Sequence, residues 1–424
     1  MNGEQQMINA LRNLWRDRRG NAVLLAAGAF PLVIGSVGLA TDTIQWAMWK
    51  RQLQRAADSA AISGVYAQVQ GQAVTSAVNT DLDKNNRTGV TLSSGYPVIT
   101  FPSSNPAWNT ATRVDLAMQK TLSFSSVFMS AAPIISATAT AAIVPTGEYC
   151  AKAMINTSTT GIFMTGNATV NLKCGMMTNS TSLNAAVATG SSNVIASPIA
   201  AVGGIQASNN YAAGTQLLPF SVATTDPFAA VPDRMPAGSS CANDPKPTPS
   251  ETVTLSAGCY KGLTLKGNVT LSPGVYYIDA GDLQINSGAT VSGTGVTVVL
   301  TNSSSNANAP IGNVTLNGGA TISLSAPSSG VYKGLIMMQD RRATDGGGSS
   351  APNKINGNSM SFYQGAFYFP KQLLDFGGNS GINTKCVQIV AWRLTFSGNS
   401  DITNVCPPTS GASAFTGQAV RLVG

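Results

Sequence analysis

Histidine is absent from all 424 residues of this chain. That absence removes Ser-His-Asp and Cys-His catalytic arrangements, histidine-ligated zinc and histidine general bases together. There is also no G-x-S-x-G elbow and no G-x-x-x-x-G-K-[ST] phosphate loop. Charge is scarce: Asp, Glu, Lys and Arg make up 10% of the residues. The net charge of +7 gathers at the start, where residues 1–55 carry seven basic and three acidic side chains. The rest carries eighteen basic against fifteen acidic, without the clustered patch that phosphate backbones require. No nucleic-acid partner, no cofactor and no metal is therefore expected.

One stretch lacks charge altogether. From Asn21 to Thr41 there is no ionisable side chain. As a helix this run spans roughly 30 Å, the thickness of a bilayer's hydrocarbon core. Arg12, Arg16, Arg18 and Arg19 precede it, and Lys50, Arg51 and Arg55 follow it. Pro31 lies mid-span and is expected to bend the helix, since it cannot donate to the preceding turn. Gly28, Gly35, Ser36, Gly38 and Ala40 give a low-bulk surface of the kind that lets helices approach in lipid, and of a kind common in membrane helices generally. Beyond the span, Trp46, Trp49, Leu53, Ala56 and Ala60 recur at helical spacing, which predicts an amphipathic stalk packed on the chain's own domain. Trp46 and Trp49 also suit the membrane interface. A cleaved signal peptide is the competing reading, with Gly38-Leu39-Ala40 as its small-x-small site. The length of the run and the helical pattern continuing through that site favour a retained anchor.

Several of these residues together resemble a known segment. Arg19-Gly20-Asn21, Pro31, Gly38-Leu39-Ala40-x-Asp42 and Leu53-Gln54-x-Ala56-Ala57-Asp58-x-Ala60-Ala61 look like the N-terminal segment of TadG-like proteins of the tight-adherence (Flp) pilus assembly system. The resemblance covers about fifty residues. It implies a single-pass bacterial inner-membrane protein; the flanking basic residues barely decide its orientation, and the cysteines favour a cytoplasmic N-terminus with the body in the periplasm, or extracellular within a pilus. It implies other Tad/Flp pilus assembly proteins as partners. It also assigns Gly20, Asn21, Pro31, Asp42, Leu53, Gln54, Ala56, Ala57, Asp58, Ala60 and Ala61 to a membrane and assembly helix. Related pseudopilins are cut after a Gly with Glu five residues on; here the fifth residue after Gly20 is Leu25. Larger relatives can carry a D-x-S-x-S metal motif, which is missing here.

The cysteines, Cys150, Cys174, Cys241, Cys259, Cys386 and Cys406, all follow the anchor and form no C-x-x-C. An even count in an exported body reads as disulfides, with fifteen possible pairings among six. Their grouping into couples separated by 24, 18 and 20 residues favours Cys150–Cys174, Cys241–Cys259 and Cys386–Cys406. Such bridges place the body outside the cytoplasm.

The expected organisation is a basic head at 1–19, a transmembrane helix and stalk at 20–84, a small α/β module at 85–148 and a mainly-β domain at 149–424. Gly64 and Gly71 are expected weak points of the stalk, and DKNNRTG at 83–89 its stop. Strands are expected at 90–94, 96–101, 112–120 and 135–144, and a short helix at 123–129. After Tyr149, short apolar bursts alternate with Gly-Asn turns at 166–167, 267–268, 312–313, 357–358, 378–379 and 398–399. Gly357-Asn358-Ser359, Gly378-Asn379-Ser380 and Gly398-Asn399-Ser400 are 21 and 20 residues apart. This recurrence predicts a right-handed parallel β-helix, with an antiparallel β-sandwich as the alternative. A six-proline excursion at 222–250 interrupts the rungs, and 303–310 and 341–352 read as projecting loops.

β-Helices include polysaccharide-cleaving enzymes, which need two convergent carboxylates. Asp279, Asp282, Asp340, Asp345, Asp375 and Asp401 are the candidates, but they are scattered and mostly beside turns, where Asp caps backbone groups. Asp340-Arg341-Arg342 reads as a solvated loop or local ion pair. The expected function is non-enzymatic: a structural or assembly component of an adhesive pilus. The alternative is a β-helical adhesin or glycan-binding protein using surface glycans as partners. Its aromatic pool would be Tyr276, Tyr277, Tyr332, Phe362, Tyr363, Phe367, Tyr368 and Phe369.

Overall fold

The computed structural model describes residues 12, 19–85, 91–104, 106–348, 352–357, 360–378, 382–398, 401–404 and 415–423. The chain divides into two compact units, Met1–Ile143 with Val420–Gly424, and Val144–Ala419.

The first unit is built on one continuous helix, α1 (Arg19–Val69), which runs through Pro31 without interruption. It ends at Gly71, whose φ of +67° reverses the backbone while the Gln72 N–H returns to the Ala67 carbonyl at 2.8 Å. A glycine in that position closes the orphan carbonyls of the last turn. The helix does not weaken at Gly64. A Cβ there would stand 2.7 Å from the Thr112 methyl, so this glycine provides a close approach between helix and sheet. A second helix, α2 (Val74–Asn85), follows. Three strands complete the module: β1 (Val98–Thr100), β2 (Ala111–Gln119) and β3 (Ile134–Ala153), paired antiparallel in that order.

The alternation in ATATAA has a direct result. Ala137, Ala139 and Ala141 of β3 face the core, beside Val114, Leu116 and Met118 of β2. Leu53, Ala57, Ala60, Ala61 and Val65 of α1 pack onto them, joined by Val78 of α2. Alanine facing alanine lets the helix lie close to the sheet. The strand expected at 90–94 is absent from its described part: Gly95, with φ of +88°, turns the chain and Tyr96 N–H bonds back to Ser93. The short helix expected at 123–129 is a single 3-10 turn at Ser125–Val127.

The second unit is a mainly parallel β body. Its described strands pair in parallel, each with the strand about one coil later in the chain. Thr252–Leu255 pairs with Asn268–Leu271, that strand with Thr290–Thr294, and that one with Thr321–Ser325. Two further series run alongside, through Gly258–Tyr260, Gly274–Asp279 and Val296–Thr301, and through Leu263–Leu265, Leu283–Ile285 and Val314–Leu316. Parallel ladders of this kind leave no antiparallel sandwich among the described strands. Inward residues such as Leu263, Val269, Ile278, Val291, Leu300 and Ile322 form one continuous core.

The coils are not stacked in simple chain order. The last described coil, within Ile382–Phe396 and Asp401–Asn404, pairs with the first, at Ala151–Ala153, Ile162–Met164 and Thr169–Asn171. From that junction residues 149–218 stack one way, ending at Leu217–Leu218. Residues 241–396 begin at the opposite end and return to the junction. Corners align across it: a Cβ on Gly190 would lie 2.9 Å from the Gly166 carbonyl, and one on Gly166 would lie 3.2 Å from that of Gly398. The proline-rich segment must therefore travel from one end of the stack to the other. From Leu217–Leu218 to Cys241–Ala242 it crosses ten strand spacings, roughly 48 Å at about 4.8 Å each. Extended, proline-rich chain suits that path because it reaches far and forgoes ladder hydrogen bonds.

Candidate functional site

The membrane and assembly helix is the candidate site, and the structure divides it in two. From Leu25 to Leu39 its large apolar side chains face outward, including Leu25, Phe30, Leu32, Ile34 and Val37. Pro31 is exposed within it. Gly20 and Asn21 lie in the same helix, and the Asn21 side chain lies outside the described residues. Among the described residues this is the one helix long and apolar enough to cross a membrane. Such a helix meets its own backbone hydrogen bonds, so its outward apolar face suits lipid.

The second half is committed to the chain itself. Leu53, Ala57, Ala60 and Ala61 are buried against the sheet, and Ala56 packs at its margin. The alanine surface is thus filled from within the unit. Gln54 donates to the Thr138 carbonyl and to Asp58, each at 2.8 Å, and the Lys50 ammonium donates to the Ser136 carbonyl. Asp42, at the end of the uncharged run, is buried and accepts the backbone N–H groups of Phe124 and Ser125 and the Ser125 hydroxyl.

In the body, Cys150 is bonded to Cys174 and Cys241 to Cys259, with Cα atoms 5.9 and 4.4 Å apart. Cys406 and the Cys386 side chain lie outside the described residues, as do the Asn and Ser of the three Gly-Asn-Ser turns and the Asp401 side chain. Each other acidic candidate has a local task. Asp279 accepts the Ser303 N–H, Asp282 the Asn313 N–H, and Asp375 the Ser397 hydroxyl. Asp345 pairs with Arg393 at 2.7 Å. No two of these carboxylates are shown converging on one cavity. Among the described residues no group of three or more His, Cys, Asp and Glu could hold a metal.

Of the two readings of Asp340-Arg341-Arg342, the structure shows the local ion pair and not the solvated loop. Asp340 is fully buried and meets Arg342 at 2.6 Å, with Thr301 donating to it at 2.8 Å. Burial pushes its carboxyl up, but the Arg342 side chain and N–H, the Thr301 hydroxyl and the Arg342 charge outweigh this and hold it below the ordinary carboxylate range. Arg342 also donates to the carbonyls of Asn302, Ser304 and Asn306, so the segment expected to project at 303–310 is tied down. Most of the aromatic pool is core as well: Tyr276, Tyr363, Phe367, Tyr368 and Phe369 are fully buried. Phe367 meets Tyr363 and Phe376 edge-on, at 5.4 and 5.3 Å between centroids.

Sequence reasoning missed the device that fastens the proline-rich segment. Thr224 lies on Asn179, and the carbonyls of Thr224 and Thr225 accept the buried Lys152 ammonium. Asp226 then accepts the Tyr368 hydroxyl, Phe228 packs edge-on against that ring at 5.2 Å, and Arg341 reaches Asp233, Val231 and Phe228. Next comes the Cys241–Cys259 bridge. These contacts fall in stack order. Burial pushes the Lys152 ammonium down to about 8, against the opposing pull of Asp226. The six prolines were the one signal available for this extended strap.

Residues 20–69 match the family model described as putative Flp pilus-assembly TadE/G-like. The match coincides with α1 from its second residue to its end. No curated protein and no solved structure matches the chain.

Proposed function

We propose that this chain is a membrane-anchored structural or assembly component, TadG-like and minor-pilin-like, of a Tad/Flp surface pilus that serves adherence. The observation that carries the reading is the family match lying on one unbroken apolar helix. In this reading the helix crosses the inner membrane once, the N-terminus is cytoplasmic, and the body stands in the periplasm or on the assembled pilus. The two disulfides support that side of the membrane, since such bridges persist in oxidising compartments. The body is read as a right-handed parallel β-helix: its repeating parallel ladders support the solenoid, and parallel crossovers are right-handed in nearly all proteins.

The proposed role is not catalytic. Support comes from the lack of histidine and from the structural employment of the described acidic candidates. A chromosomal deletion, complemented by the wild-type chain, tests the proposal. Loss of pili and of surface attachment, with full restoration on complementation, is expected. Normal pili and attachment in the deletion strain would refute it, and glycan-array binding by the purified chain would then point to an adhesin.

A further inference from the structure

The geometry points to a second membrane contact, a short apolar turn at residues 124–129 that enters the outer bilayer interface beside α1. This rests on α1 being a membrane span. Three observations carry it.

The turn is fixed at the right level. Asp42, the first charged residue after the uncharged run, binds the Phe124 and Ser125 N–H groups and the Ser125 hydroxyl. Gln45 and Ser123 exchange a hydrogen bond on the next turn of the helix. A Cβ added at Gly38 would collide with two carbons of the Phe124 ring, so that ring lies over the run itself. Gly38 is four residues below Asp42, about 6 Å deeper along the helix.

The turn presents apolar side chains and no charge. Val127 is 76% exposed, Phe128 75% and Met129 48%. Phe128 stands on Phe124 with centroids 5.4 Å apart, extending the apolar surface away from α1. In sequence, no charged residue occurs from Thr121 to Gly147.

The N–H groups of the turn need no water. Phe124 and Ser125 give their N–H groups to Asp42; Ser126, Val127, Phe128 and Met129 give theirs to carbonyls at Leu122, Phe124 and Ser125. Satisfied donors are a condition for entering lipid, because an unpaired peptide group is costly there. An ordinary surface turn needs no such economy. The occupant is therefore lipid at the acyl–headgroup boundary, continuous with the lipid around α1. Two contacts would fix the tilt and rotation of the first unit on the membrane, which a single helix leaves free.

The test uses the full-length chain in vesicles of phosphatidylcholine and phosphatidylglycerol. Nitroxide labels are placed singly through Phe128→Cys, Val33→Cys and Leu183→Cys, with the unsubstituted chain carried through labelling as background. Val33 is an outward residue of the span and Leu183, 79% exposed, an outward residue of the body. Collision with oxygen, which concentrates in lipid, is compared with collision with a water-soluble nickel chelate. Oxygen preference at both 33 and 128, with nickel preference at 183, is the expected result. Nickel preference at 128 with oxygen preference at 33 overturns the inference and leaves the membrane span intact. Nickel preference at 33 overturns the span and the inference with it. A label at 128 shielded from both reagents means that protein, not lipid, covers the turn, which also overturns it.

Discussion

Removing Arg342 should destabilise the body through the charge it leaves behind. Asp340 is fully buried, and its carboxylate is held by two Arg342 nitrogens, the Arg342 N–H and the Thr301 hydroxyl. Arg342→Met keeps much of the volume but strands the carboxylate. Breaking a buried pair from one side costs about 3–5 kcal/mol. For a unit of this size that is roughly a 10 °C fall in Tm. Asp340→Asn combined with Arg342→Met should cost less than Arg342→Met alone, because no buried charge is left unpaired. The pH dependence has a definite sign. In the wild type the folded carboxyl titrates below its ordinary value, so its contribution is present at neutral pH and is lost as the pH falls through the folded pKa. In Arg342→Met only burial and weaker hydrogen bonds remain, so the carboxyl titrates higher and acid relieves the penalty. Thermal unfolding of both variants and the wild type at pH 7 and pH 5, in detergent, reads this directly. Elastase should also cleave Arg342→Met faster near residues 303–309, since Arg342 ties down three carbonyls there. A loss under about 1 kcal/mol that does not shrink with acid would refute the reasoning, because it would mean that the pair is not the buried one described.

Three other outcomes follow from the packing. Gly312→Ala places a Cβ into the Gly281 carbonyl of the preceding coil; overpacking of about 1–3 kcal/mol is expected, and a wild-type unfolding midpoint in denaturant would contradict it. Ala60→Leu should destabilise the first unit by a similar amount, while Ala56→Leu, at the core margin, should be much milder; equal effects in limited proteolysis would contradict the burial pattern. Lys152 titrates near 8 in the fold against its ordinary 10.5. Over that interval the unfolded chain keeps a proton that the folded chain has released, so stability rises with pH; Lys152→Met should flatten the rise between pH 8 and 10.

The sequence alone determined what local chemistry controls. The uncharged run from Asn21 to Thr41 predicts one long apolar helix, the backbone that pairs its own peptide groups, and α1 runs unbroken through it. The two-residue alternation of ATATAA sets one face of a strand inward whatever lies opposite. The recurrence near twenty residues matches some paired strands, such as Tyr277 with Val299, but not Val299 with Met338, which are 39 apart; two cysteine couples fall on or next to neighbouring parallel strands. Tertiary structure decided the rest, because burial and neighbour identity are properties of distant residues. Gly64 looked like a helix breaker until Thr112 was set against it. Asp340-Arg341-Arg342 reads as a solvated loop or a local ion pair, and burial against Thr301 and the 302–306 loop decides for the pair. In-line alternation favours core roles for most of the aromatic pool, but only the fold shows their neighbours, with Phe367 edge-on between Tyr363 and Phe376. The order of the coils was beyond local reading as well. Nothing near Pro227 or Pro232 reports that residue 241 starts at the far end of the stack, because that path is set by distant pairing, Ala151 with Ile389.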